Sequence, residues 1–182
     1  MKEERHNIDI YPNVSKWNVP ADLLEVATAE MKRDGERDTE GTCLWLGTRE
    51  DGAATITHTV FLRGRHIRKG PSQIQIAPEL MREVHLQARD LGLILVGQIH
   101  SHGKLYGVNL SYVDHEYGFQ IPFFLSVVAP DYGMTWPISW EDCGVHIFLR
   151  QQGFIRIPSE EVATRLVQSN SNTQTLTIGS DD

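Results

Sequence analysis

The stretch "LILVGQIHSHGKLYGVNLSYVDHEYG", residues 93–118, decides the fold. It opens on "LILVGQIH", an apolar run too short for an ordinary helix and lacking the alternation of a half-exposed strand. Such a run reads as a central strand covered on both faces, which requires a sheet with helices packed on it. At its end His100 and His102 are two residues apart. Side chains alternate along an extended chain, so both imidazoles point into one volume. "SYVDHEYGFQ" then reads as a short helix, with Ser111 and Asp114 three apart and therefore on one face. A strand end meeting a helix start is a common place for a site in an α/β fold.

Working outward, "VPADLLEVATAEMKRDGERD" reads as a helix. Pro20 suits its first turn, Leu23, Leu24, Val26, Ala27, Ala29 and Met31 form its stripe, and Gly35 is its stop. "TCLWLGTRE" and "ATITHTVFL" are strands joined through Asp51-Gly52, a hairpin signal. "APELMREVHLQARDLGL" is a second amphipathic helix, running from Pro78 and Glu79 to near Gly92. "FFLSVVAP" and "CGVHIFLRQQGFIRI" supply further strands, the latter turning at Gln152-Gly153. "SEEVATRLVQ" is a last helix with Ser159 as a cap. The expected fold is α/β: a single-domain mixed β-sheet flanked by helices, over residues 20–168. Residues 1–19 are expected to be an N-terminal arm or edge strand, and 169–182 a polar, flexible tail in which "TLTI" offers an edge strand.

The chemistry of residues 100–114 has two readings. Ser-x-x-Asp is a capping pattern, because serine is a good N-cap and an early acid suits the helix dipole. Two imidazoles and a carboxylate converging on one volume also suit zinc. Three protein ligands leave the fourth tetrahedral position open, which is the pattern of a catalytic site. Other histidines fall outside this group. His115 points about 100° away from Asp114 on a helix. His146 lies in an alternating strand and reads as structural, and His58 and His85 read as exposed or partly packed surface positions.

"HSHGKLYGVNLSYVD" resembles the JAMM motif of the JAB/MPN metalloprotease family, usually His-x-His-Pro-x6-Ser-x-x-Asp. That family also carries an upstream stretch like Glu-x-x-Gly-x-Leu-x-Gly, and "EGTCLWLG", from Glu40 to Gly47, is similar to it. The order of elements matches over roughly residues 20–157. The resemblance implies a JAB/MPN-like, cytidine-deaminase-like layered architecture holding one zinc ion per chain. His100, His102 and Asp114 would be the ligands. Glu40 would act as general base and then as general acid toward the leaving amine. Ser111 would hydrogen-bond the developing oxyanion, a contact worth about 2.7–4 kcal/mol. There are departures: Gly103 stands in place of proline, the loop from His102 to Ser111 holds one extra residue, Cys43 replaces a glycine and Trp45 a leucine.

The activity implied is cleavage of the peptide or isopeptide bond after the C-terminus of a ubiquitin-like protein. The implied partners are that C-terminal tail, its conjugated target and co-encoded ubiquitin-like conjugation enzymes. Some bacterial members act on sulfur-carrier proteins or in anti-phage operons. Two alternatives stand beside this reading: a catalytically silent MPN-type binding or scaffold module, and a zinc amidase acting on a small peptide or sulfur-carrier adduct.

Composition narrows the remaining classes. The chain has 182 residues, with 40% hydrophobic and 23% charged residues and a net charge of −7. That charge argues against nucleic acid as a partner. The one basic stretch, "RGRHIRK" from Arg63 to Lys69, reads as a local loop. No apolar run is long enough for a bilayer, and "MKEERHNIDIYPN" lacks the apolar core of a secretory segment. Cys43 and Cys143 form no C-x-x-C pair and read as free buried thiols, so a reducing, cytoplasmic location is expected.

Overall fold

The computed structural model describes residues 13–180. Its elements in chain order are β1 (Val14–Val19), α1 (Leu23–Gly35), β2 (Thr42–Glu50), β3 (Gly52–Leu62), β4 (Ile67–Lys69), β5 (Ile74–Ile76), α2 (Pro78–Asp90), β6 (Ile94–Ser101), α3 (Tyr112–Tyr117), β7 (Leu125–Ala129), β8 (Gly144–Leu149), β9 (Gly153–Arg156), α4 (Ser159–Arg165), β10 (Leu166–Gln168) and β11 (Gln174–Ile178). Nine of these strands form one mixed sheet in the order β10-β1-β3-β2-β6-β7-β8-β9, with β11 also paired to β3. The strands β4 and β5 make a separate hairpin.

The expected central strand is central. β6 is antiparallel to β2 on one side and parallel to β7 on the other. Alternation then divides the core in two. Cys43, Trp45, Ile99 and Val127 face a cluster that includes Leu23, Leu24, Ala27 and Met31 of α1. Leu44, Leu46, Val60 and Val128 face a second cluster with Leu80, Val84 and Ala88 of α2. A pairing irregularity between Trp45 and Leu46 breaks the β2–β6 register at the level of Val96. Beyond it the register runs Trp45 with Gly97, Leu44 with Gln98, Cys43 with Ile99 and Thr42 with His100. Even-numbered residues of both strands therefore share the α2 face, and that parity aims the site.

Several expectations are corrected at the margins. β1 is neither an arm nor an edge strand, since it pairs in parallel with β10 and β3. Trp17 and Val19 are fully buried there, while Ser15, Lys16 and Asn18 give the segment its polar composition. Residues 1–12 of the expected arm lie outside the described residues. The last helix is shorter than expected. Its N-cap is Pro158, not Ser159, and Leu166–Gln168 leaves the helix to pair with β1, where Leu166 is buried. Within the expected tail, Gln174–Ile178 pairs in parallel with β3 along five positions, so "TLTI" does supply a strand of the sheet and only the description of that part as flexible is corrected. His58 is buried, with its Nδ1 2.8 Å from the Thr57 hydroxyl, and is not a surface residue. His85 is exposed as expected.

The basic loop is tied to α1 through ion pairs. Arg63 pairs with Glu30, and Lys69 Nζ lies 2.6 Å from Asp34 Oδ2. Cys43 and Cys143 are buried free thiols, and burial pushes the Cys143 thiol up to about 12. Among the described residues no helix is long and apolar enough to cross a membrane.

Candidate metal centre

His100 is the penultimate residue of β6 and His102 follows the strand. Extended backbone continues past the strand end, because the His102 amide donates to the Ala129 carbonyl at 2.9 Å. Both imidazoles consequently emerge on the α2 face, and each residue is only 5% exposed. Asp114 comes from the first turn of α3. Ser111 is the N-cap of that helix in a reciprocal capping box. Its hydroxyl accepts from the Asp114 amide at 3.2 Å, and its own amide donates to Asp114 Oδ2 at 2.7 Å. The capping and metal-ligand readings of Ser-x-x-Asp are thus compatible, because the cap fixes the carboxylate that faces the histidines.

The three side chains meet. His100 Nε2 and His102 Nε2 are 3.2 Å apart, His100 Nε2 is 3.3 Å from Asp114 Oδ1, and His102 Nε2 is 3.2 Å from Asp114 Oδ2. Donors around a tetrahedral ion with bonds of about 2.0–2.1 Å stand about 3.3–3.4 Å apart. The two imidazoles are near that spacing, each faces a different oxygen of Asp114, and one ligand atom from each of the three residues lies within 4.8 Å of the others. The tautomer fits as well. His102 Nδ1 is 2.8 Å from the Gly107 carbonyl oxygen, which can only accept, so the proton of the neutral ring sits on Nδ1. That leaves Nε2 facing a carboxylate and another imidazole, a position that a proton or a metal cation can fill.

The electrostatics agree in sign. Burial disfavours a charged His102, but the hydrogen bonds to Asp114 and Gly107 and the charges of Asp114 and Glu40 outweigh it and raise its pKa. Burial also opposes ionisation of Asp114, but the two histidines hold its carboxyl well below the usual carboxylate range. The pocket stabilises positive charge at its centre.

Glu40 lies just ahead of β2 and, like Thr42 and Leu44, has the parity of the α2 face. It lines one cleft of about 210 Å³ together with His100, Asp114, Thr42, Gln98, Ile74, Ile76, Val113 and Tyr117. The residue is 6% exposed. Burial pushes its carboxyl up to about 7, with His102 lowering and Asp114 raising it further. A carboxyl poised there exchanges protons readily at neutral pH.

The residues set aside remain outside. The His115 ring packs edge-on against Phe154, with centroids 6.0 Å apart. His146 is buried on β8, and burial drives its pKa down to about 4, which keeps it neutral. Three groups near the centre have no signal in composition or periodicity. The Gly107 carbonyl orients His102. The Ser101 hydroxyl, fully buried between the two histidines, accepts from the Gly41 amide at 2.9 Å. Tyr132, thirty residues beyond His102, donates its amide to the His102 carbonyl at 2.7 Å. Only the position of Ser101 inside the His-x-His motif could have pointed to it.

Comparison with known proteins bears on the whole chain. No family model matches the sequence. The chain is 28% identical over 156 residues to a protein named "Probable metalloprotease y4jG" from Sinorhizobium fredii, covering 84% of this chain and 93% of that one. Its fold is similar to the solution structure of a protein from Desulfitobacterium hafniense, with TM-score 0.62, 13% identity, and coverage of 86% of this chain and 94% of the other. A solution structure of a protein from Salinibacter ruber is similar at TM-score 0.54 and 20% identity, covering 84% and 92%. The chain therefore shares an α/β fold with these two structures and, over most of its length, sequence with a protein named as a metalloprotease.

Proposed function

We propose that this protein is a zinc-dependent hydrolase of the JAMM type, cleaving the peptide or isopeptide bond that follows the C-terminus of a ubiquitin-like protein. One observation carries the reading: His100, His102 and Asp114 approach one another pairwise at 3.2–3.3 Å, and His100 and Asp114 share a cleft with Glu40, a buried carboxyl poised at about 7. The likeness to a protein named as a metalloprotease supports the hydrolytic class.

His100, His102 and Asp114 would hold the metal. Zinc, when bound there, supplies Lewis-acid polarisation of a carbonyl and lowers the pKa of water. Glu40 takes a proton from the attacking water on its carboxylate and delivers it to the departing amine. Ser111 Oγ accepts from the Asp114 amide, which leaves its own proton free to donate to the oxyanion. The Gly107 carbonyl holds His102 in the tautomer a ligand needs.

Two features support a protein tail as the substrate. Among the described residues β5 pairs with β4 alone, and Ile74 and Ile76 of β5 line the cleft. An extended tail can add to such a strand through backbone hydrogen bonds. Leu105, Tyr106, Tyr112 and Tyr117 are exposed on the loop and helix that bring Asp114 to the site. Large apolar side chains left exposed beside a cleft are available to meet a partner.

The test has two parts. The purified chain is expected to contain about one zinc per chain by mass spectrometry. It should also release ubiquitin-like proteins from unrelated C-terminal fusions, and lose that activity with a chelator. A chain that takes up no zinc overturns the reading. Cleavage that survives complete zinc removal does so too.

A further inference from the structure

The turn after β7 holds two consecutive non-glycine residues in the left-handed region, Asp131 at φ 50° and Tyr132 at φ 53°. Such residues cost about 1–2 kcal/mol each and persist only where their surroundings fix them. Tyr132 is fixed at three points. Its amide donates to the His102 carbonyl at 2.7 Å. Its phenol donates to the Pro71 carbonyl at 3.1 Å. Its ring lies against Gly103, where a Cβ would come within 2.6 Å of the phenol oxygen and 2.7 Å of Cζ.

These contacts bridge the two halves of the centre. His102 is a candidate ligand at the end of β6. Pro71 follows Gly70, whose carbonyl accepts the Glu40 amide at 2.8 Å. Beside the direct bonds between Ser101 and Gly41, a second path from ligand to base thus runs His102, Tyr132, Pro71, Gly70, Glu40. The phenol is the one side chain in that path, and it crosses from the ligand strand to the β4–β5 turn. The turn also contributes Ser72 and Gln73 to the lining of the cleft.

We propose that Tyr132 is a positioning residue that holds the β4–β5 turn, and with it the Gly70 carbonyl that accepts the Glu40 amide, against the end of the ligand strand, and that the missing Cβ at residue 103 leaves room for its ring. A proline at 103, usual in the motif the chain resembles, carries a Cβ and is incompatible with the ring where it stands. Tyr132 does not touch the candidate ligand atoms; it acts through His102 and the β4–β5 turn. The inference rests on the proposed hydrolytic role of Glu40.

The test is Tyr132→Phe, which keeps the ring and removes the tether. Amide hydrogen exchange, zinc content and steady-state turnover are measured on the full chain. Zinc content is expected to stay at that of the wild type, and exchange at the Glu40 amide to quicken about tenfold. We expect kcat to fall about 10–100-fold with KM changed less than about twofold. Gly103→Ala should reproduce both changes, yet add nothing in a Tyr132→Ala background. Unchanged exchange at Glu40 overturns the proposal, as does a kcat loss that follows zinc loss. If the wild-type chain cleaves no ubiquitin-like fusion, the proposed function fails. The exchange measurement still decides the tether, because it reads the Glu40 amide and not turnover.

Discussion

Two buried polar clusters lie on either side of the segment that carries Glu40, and they are built on opposite plans. In the first, Glu30 and Asp34 of α1 meet Arg63 and Lys69, with Arg33 and Arg37 3.6 and 3.7 Å from the same carboxylates. Every anion there has a cation beside it, so the cluster is complete as protein. In the second, His100 and His102 both turn Nε2 toward Asp114, so two imidazoles share one carboxylate, and the group could hold a metal ion. The difference is one of charge balance, since both clusters are comparably buried. Matched charges read as structure, and two imidazoles sharing one carboxylate read as a site.

The sharpest way to break this comparison acts on Glu40, which stands between the clusters. Glu40→Gln is expected to retain bound metal and to lose about 10²–10⁴-fold in kcat, measured on a ubiquitin-like fusion. Asp114→Ala comes next. It should weaken metal binding more than about 100-fold in a chelator competition, beyond the usual cost of losing an outer partner of a ligand. Lys69→Met, in the balanced cluster, tests the contrast from the other side. Urea unfolding should show a loss of about 1–3 kcal/mol while metal affinity stays near wild type. If Lys69→Met cost as much metal affinity as Asp114→Ala, the two clusters would not be separable.

A smaller effect follows from pH. The Glu40 carboxyl sits at about 7 in the fold against 4.5 for the free side chain. An acid whose folded pKa is raised makes the folded state less stable as pH climbs from the lower value to the higher. Metal-free wild type should therefore lose about 1–2 kcal/mol relative to Glu40→Gln between pH 4.5 and 7, with the difference level outside that window. The comparison with Glu40→Gln removes contributions that do not depend on the Glu40 charge; His102, whose pKa that charge raises, adds to the same difference. A constant difference across the window would contradict the raised value. On stability alone the smallest effect is at Ser111→Ala, which should cost about 1 kcal/mol in urea unfolding through loss of the α3 cap, apart from the kcat it loses as the proposed oxyanion donor.

The parts legible in the sequence are those fixed by periodicity and by local caps. The α2 helix opens at Pro78 as its sequence predicts, β6 is the central strand, and the spacing of His100 and His102 survives into one face of the sheet. Ser111 and Asp114 form the reciprocal cap their spacing allows. The parts that were hidden depend on distant partners. β1 reads as polar because its buried positions are few and separated, and only pairing with β3 and β10 makes it internal. Leu166–Gln168 has helical surroundings and becomes a strand because β1 offers it an edge. His58 looks like a surface position until the sheet closes over it. Glu40 was accessible through resemblance alone, since nothing near it in sequence distinguishes it from a carboxylate at a strand entrance. Tyr132 carries no pattern at all, because its role arises from a positive φ and from the missing Cβ of Gly103.

The pairing of β3 has a further consequence, for the order in which the chain can assemble. The first half of β3 receives β1, already made, whereas its second half receives β11, more than a hundred residues later. Both histidines, Asp114 and Glu40 precede β11, so the centre can gather its ligands while the far half of β3 still presents an open edge. Long-range pairings of this kind form slowly, and an unpaired edge invites association with other chains in the interval. During synthesis the candidate centre would thus gather early and the far half of β3 would be covered late, a step on which the yield of dispersed protein depends.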